Sequence, residues 1–88
     1  MTQVTHHSNP HDVYIGRPSK WGNPFEIGTH GTRSEVIAMY EEWIRTQPQL
    51  LSELHELEGK VLGCWCSPKP CHGDVLVKLL HEQKFLTY

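Results

Sequence analysis

Lys60-Val61-Leu62-Gly63-Cys64-Trp65 (KVLGCW) is the stretch whose reading decides the fold. It is an apolar, β-prone run entered from Gly59, a natural helix stop, and it reads as a buried strand. Cys66-Ser67-Pro68-Lys69-Pro70-Cys71-His72-Gly73-Asp74 follows at once and reads as a loop leading into a helix. That helix begins near Cys71 or Gly73 and runs to Lys84, with Val75, Leu76, Leu79 and Leu80 at the spacing of an inward face.

Upstream of the strand, Leu50, Leu51, Leu54 and Leu57 form a second helical stripe, with Pro48 near its start, where a missing N–H costs little. An earlier helix opens on Thr32-Arg33-Ser34-Glu35, a capping box, and carries Val36, Ile37, Tyr40, Trp43 and Ile44 on one side. Before it, Val13-Tyr14-Ile15 is a short strand ended by Gly16, and Gln3-Val4-Thr5 is a weaker one. Helices between strands favour a parallel pair joined by a crossover. The expected fold is therefore α/β: a small sandwich with a short, mainly parallel sheet of two to three strands and about three helices. One compact domain over residues 1–88 is expected, with residues 1–11 either flexible or a short edge strand.

In parallel sheets, ligands bind beyond the carboxyl ends of the strands. Two unusual segments leave the strands at that end. Arg17-Pro18-Ser19-Lys20-Trp21-Gly22-Asn23-Pro24-Phe25 leaves the first, and the cysteine-bearing loop leaves the second. The topology should bring the two together into one cleft.

Composition narrows the function. The chain has 88 residues, 38% of them hydrophobic, a net charge of −2, a mean hydropathy of −0.48 and three cysteines. An odd cysteine count argues against a closed disulfide framework. No apolar run approaches the roughly 20 residues that span a bilayer, so no membrane partner is expected. The N-terminus lacks the regions of a signal peptide, and a cytoplasmic setting is the expectation. The acidic balance and the lack of a basic helical stripe argue against nucleic acid. A core this small leaves room for stabilisation by a homodimer, a ligand or a metal. Arg17, Lys20, Arg33 and Lys69 are half of the eight Lys and Arg residues, and all lie in loops or at helix starts. That placement suits a local anion site better than a long polyanion.

Three chemistries compete for the cysteine-rich loop. Cys64, Cys66, Cys71 and His72 are a soft ligand set for zinc, although C-x-C is not the usual pairing of structural zinc sites. Cys71 at a helix start is a candidate nucleophile, since the macrodipole lowers a thiol pKa there, with His72 and Asp74 as candidate acid, base or orienting groups. Asp74 equally suits a purely structural role at the helix N-terminus. The third chemistry is anion binding. Backbone N–H groups at the helix start, with Gly73 allowing close approach, would grip phosphate, and Thr32 and Arg33 repeat the arrangement. Arg17, Ser19 and Lys20 would extend the anion site, Trp21 would stack on a base or ribose, and Asn23 would read a polar edge. Ordinary core packing for Trp21 and a turn for Asn23 are the plain alternatives.

The motifs VYIGRPSKWGNPF, GTRSEVIAMYEEWI and GKVLGCWCSPKPCHGD resemble the domain-of-unknown-function family 4326 of bacteria and their phages. The resemblance spans Val13 to about Leu80 and implies one small domain in a bacterial cell or a phage-infected host. The family's hallmark positions fall here on Tyr14, Gly16, Arg17, Ser19, Trp21–Phe25, Gly31–Arg33, Cys64–Cys66, Pro68 and Cys71–Asp74, without assigning roles. The function expected is binding of a small anionic, nucleotide-like ligand in the cleft between Arg17–Phe25 and Cys66–Asp74, with or without hydrolysis or transfer on it. The alternative is a zinc-stabilised interaction module for a partner protein.

Overall fold

The computed structural model describes residues 2–66 and 69–86. Pro68, one of the hallmark positions, lies outside the described residues. Strand β1 (Gln3–His6) and strand β2 (Val13–Tyr14) precede helix α1 (Arg33–Ile44) and helix α2 (Pro48–Glu53), which tightens into a 3-10 turn over Leu54–Leu57. Strand β3 (Val61–Cys64) and helix α3 (His72–Leu86) complete the order. The sheet has the order β1-β3-β2 with both pairings parallel, so KVLGCW supplies its central strand. The α/β expectation, with three strands and three helices, is what the chain adopts.

The register explains how so short a link joins β1 to β2. His6 pairs with Cys64 and Val13 with Leu62, so β2 begins only slightly below the point where β1 ends. The chain steps between them across Gly63, whose absent side chain makes the room. A Cβ there would lie 2.6 Å from Cγ of His11. Asp12 fastens the step, its N–H donating to Val61 O and its carboxylate accepting from Val61 N–H, both at 2.8 Å.

Alternation along β3 puts Leu62 and Cys64 into the core, both fully buried. Helix α3 lies across β1, α1 and the 3-10 turn, and buries Val75, Leu76, Leu79 and Leu80, the four positions its spacing picks out. Helix α1 buries Val36, Tyr40 and Ile44, with Ile37 and Trp43 at the margin of the same core. Its capping box is complete: Thr32 Oγ1 accepts from Glu35 N–H at 3.3 Å, and Glu35 Oε1 accepts from Thr32 N–H at 2.8 Å. Gly59, at φ +74°, ends the 3-10 turn in the left-handed region that glycine enters most readily.

Candidate functional site

Beyond the carboxyl ends of β2 and β3 lies a cavity of about 270 Å³. Its walls come from the two segments that the topology was expected to join: Gly16, Arg17, Asn23 and Phe25 on one side, Cys66 and Pro70–His72 on the other. The start of α1 closes it with Arg33, Val36 and Ile37, while Glu26, Ile27 and Trp65 stand at its border.

The two guanidiniums are held differently. Arg17 pairs with Glu26 at 3.4 Å, with both side chains more than half exposed, a contact of the weak kind that an incoming anion displaces easily. Arg33 donates from Nη1 to Pro70 O at 3.2 Å, which ties the start of α1 to the loop before α3. Lys20, expected to join them, does not line the cavity. Its ammonium sits on Glu53 and Glu56, 2.9 Å from each, and these hydrogen bonds raise its pKa.

The aromatic expectation changes most. Trp21 is 2% exposed and belongs to the core, where Tyr40 Oη donates to its backbone oxygen at 2.7 Å. It has no free face for a ligand. Trp65, by contrast, is 64% exposed and borders the cavity. Its Nε1–H donates to Tyr14 Oη at 2.6 Å and its ring lies 3.7 Å from that of His7, which fixes the indole in place. Ile27, 51% exposed, borders the same cavity. Sequence reasoning assigned neither to the site, although Trp65 is one of the hallmark positions. The available signal for Trp65 was its place just past the end of the central strand.

The start of α3 is occupied by its own side chains. Cys71 acts as the cap: its Sγ accepts from Gly73 N–H at 3.3 Å and its carbonyl from Asp74 N–H at 3.0 Å. Asp74 returns the bond, accepting from Cys71 N–H at 3.1 Å. The structural reading of Asp74 is thus the one its hydrogen bond serves. A Cβ on Gly73 would lie 2.8 Å from Ile15 Cδ1 and 3.1 Å from Val4, so this glycine lets the helix meet the sheet rather than a ligand. Thr32 likewise spends its hydroxyl on the α1 cap, although it lines a shallow hollow beside Arg33. Asn23 lines the cavity while its amide holds backbone: Nδ2 donates to Val36 O and Oδ1 accepts from Phe25 N–H. Ser19 lies off the cavity with its hydroxyl oxygen buried and, among the described residues, without a hydrogen-bond partner.

Cys71 is not the activated thiol expected of a helix start. It is buried with its Sγ 3.0 Å from Sγ of Cys64, and neither is in a disulfide. The hydrogen bond with Cys64, then burial, push its pKa well up, and the N–H of Gly73 only partly opposes them. The zinc reading also loses its geometry. Among the described residues no group of three His, Cys, Asp or Glu side chains is placed to hold a metal ion. The physical reason lies in His72, whose Nε2 faces Ile15 O at 2.7 Å instead of the thiols. A carbonyl only accepts, so Nε2 carries the proton and Nδ1 keeps the lone pair. Burial, with the charge of Arg17 adding to it, lowers the His72 pKa and favours this neutral form, against the pull of the Ile15 carbonyl.

Among the described residues, no helix is long and apolar enough to cross a membrane. The family model described as "Domain of unknown function (DUF4326)" matches residues 2–82. "Uncharacterized protein R718" of Acanthamoeba polyphaga mimivirus is 36% identical over 98 residues, covering 88% of this chain and 75% of that protein. The "Uncharacterized 12.4 kDa protein in nrdA-td intergenic region" of Enterobacteria phage T4 is 32% identical over 84 residues, covering 90% of this chain and 76% of that protein. No solved structure matches the chain. The family match over nearly the whole length agrees with the motifs that line the cavity, and the chain belongs to the DUF4326 family, with relatives in a phage and in a mimivirus.

Proposed function

We propose that the cavity binds a small ligand made of a planar ring and an anionic group, of which a nucleoside monophosphate is the type. One observation carries this reading. Trp65 and Ile27, the exposed large hydrophobic residues among those described, border the same cavity as Arg17 and Arg33. Exposed apolar surface of this kind commonly marks a binding site, and an indole is a suitable platform for a heterocycle. The guanidiniums supply the planar, permanently charged donors that phosphate prefers. A volume of about 270 Å³ falls just below the range of about 300–1,000 Å³ usual for ligand pockets, which suits a small ligand and not a polymer.

Binding is favoured over cysteine chemistry, because the Cys71 thiol is held protonated and Asp74 is engaged in the helix cap. Calorimetric titration with the common nucleoside 5′-monophosphates, and with inorganic phosphate alone, tests the reading. Nucleotides are expected to bind more tightly than phosphate. Arg33→Ala and Trp65→Ala should each weaken binding roughly tenfold or more, the scale of losing a charge-assisted bond or a stacked ring. Lys20→Ala should leave the affinity unchanged. Undiminished affinity in Arg33→Ala would overturn the reading.

A further inference from the structure

Among the described residues that line the cavity, His72 is a largely buried side chain whose polar capacity the fold leaves incompletely used. The residue is 9% exposed, its Nε2–H is committed to Ile15 O, and the ring of Tyr40 lies edge-on at 5.0 Å between centroids. Nδ1 therefore presents a lone pair, and among the described residues no group donates to it. Nδ1 is not among the fully buried polar atoms left without a partner, so water reaches it in the free protein, and a ligand that fills the cavity must replace that water with a donor of its own. Of its neighbours on the cavity wall, the Asn23 amide is engaged with main chain and the Cys71 sulfur with Cys64 and Gly73.

Both arginines are tied close to this ring along the chain. Ile15, which anchors His72, lies two residues before Arg17, and Pro70, which anchors Arg33, lies two residues before His72. An anion held by the guanidiniums thus brings the adjoining part of the ligand to Nδ1. Phosphate cannot satisfy it, because near pH 7.5 a phosphomonoester is mostly the dianion and has no donor. The exocyclic amines of a base lie at the other end of a nucleotide, the end assigned to Trp65 and Ile27. A sugar hydroxyl is the donor that stands beside the phosphate. Resting on the nucleotide reading above, we propose that the site selects ribonucleotides, with Nδ1 of His72 accepting a hydrogen bond from a sugar hydroxyl.

The test uses the unaltered protein and four ligands: AMP, its 2′-deoxy and 3′-deoxy analogues, and 2′,3′-dideoxy-AMP. The dideoxy compound and one of the single-deoxy compounds should bind roughly tenfold more weakly than AMP, the effect of covering the acceptor and displacing its water without supplying a donor. His72→Asn keeps an acceptor oxygen near the place of Nδ1 and should retain the preference, whereas His72→Phe should bind AMP and dideoxy-AMP alike. Binding of AMP and dideoxy-AMP within twofold by the wild-type protein overturns the proposal while leaving nucleotide binding intact. So does discrimination that follows the base amine, AMP over IMP, and not the sugar. Failure of every nucleotide to bind removes both readings. Because the ligand series needs no substitution, a misfolded His72 variant does not blunt the test.

Discussion

At Cys71 a thiol occupies a helix cap that serine, threonine or aspartate usually fills. The consequence is chemical as well as structural. Its sulfur accepts from Gly73 N–H and meets Cys64, while the side chain is 2% exposed. Cys66, half-buried on the cavity wall, is open to reagent by comparison. Brief treatment of the native protein with iodoacetamide, followed by peptide mass spectrometry, should find label on Cys66 well before Cys71 or Cys64. Labelling of Cys71 first would contradict the burial described here. Its neighbour His72 yields a second prediction. Burial holds its folded-state pKa below the ordinary 6.5, so protonation favours the unfolded chain. The stability this residue contributes is full above about pH 6.5 and is lost as the pH falls through the folded value. The melting temperature should drop between about pH 7.5 and pH 5.5, above the range where carboxylates titrate, and the drop should shrink in His72→Asn.

Among the elements, α3 shows how a close approach sets a residue. Gly73 sits in its first turn, where alanine would gain up to about 1 kcal/mol of helix propensity. The added methyl would press on Ile15, fully buried, and on Val4, whose branched side chain has little rotamer freedom. Overpacking of this kind costs about 1–3 kcal/mol, so the strain wins and Gly73→Ala should lower the denaturant midpoint with an unchanged slope. A midpoint equal to or above wild type would mean that α3 can shift on the sheet. The elements themselves were legible in the sequence because their signals are local: the capping box at Thr32, the glycine stop at Gly59, and the leucine and valine spacing of α3. The site was legible only in outline. Strand order brought the two loops together, as Arg17, Arg33, Cys71 and His72 on one cavity show. The roles of Lys20, Trp21 and Trp65 depend on contacts that no local pattern carries. Lys20 finds its carboxylates 33 and 36 residues away. Trp21 sits in a loop rich in proline and glycine that turns inward to Tyr40, and Trp65 continues an apolar run one step past the last paired residue.

For the molecule as a whole, the cavity matters because separate parts of the chain meet there. The loop after β2, the start of α1, the loop after β3 and the start of α3 all contribute walls. Between the two loops of the sheet, Trp65 to Tyr14 is one link, and Arg33 to Pro70 joins the two helix starts. A ligand seated on Arg17, Arg33 and Trp65 would add links across all four. Anything that binds the folded chain and not the unfolded one stabilises it by mass action, by about 2.7 kcal/mol at a hundred times Kd. In a domain of this size each kcal/mol moves the midpoint by about 4–8 °C. Saturating AMP should therefore raise the melting temperature of the wild-type protein by several degrees, and inorganic phosphate by less. Arg17→Ala exchanges only a weak surface ion pair in the free protein, so its own melting temperature should stay close to wild type. The same variant should lose most of the shift produced by AMP. That combination, unchanged intrinsic stability with a lost ligand response, separates a binding arginine from a structural one. A wild-type melting temperature indifferent to every nucleotide, at concentrations where phosphate is also without effect, would leave the exposed indole and the two guanidiniums without the partner proposed for them.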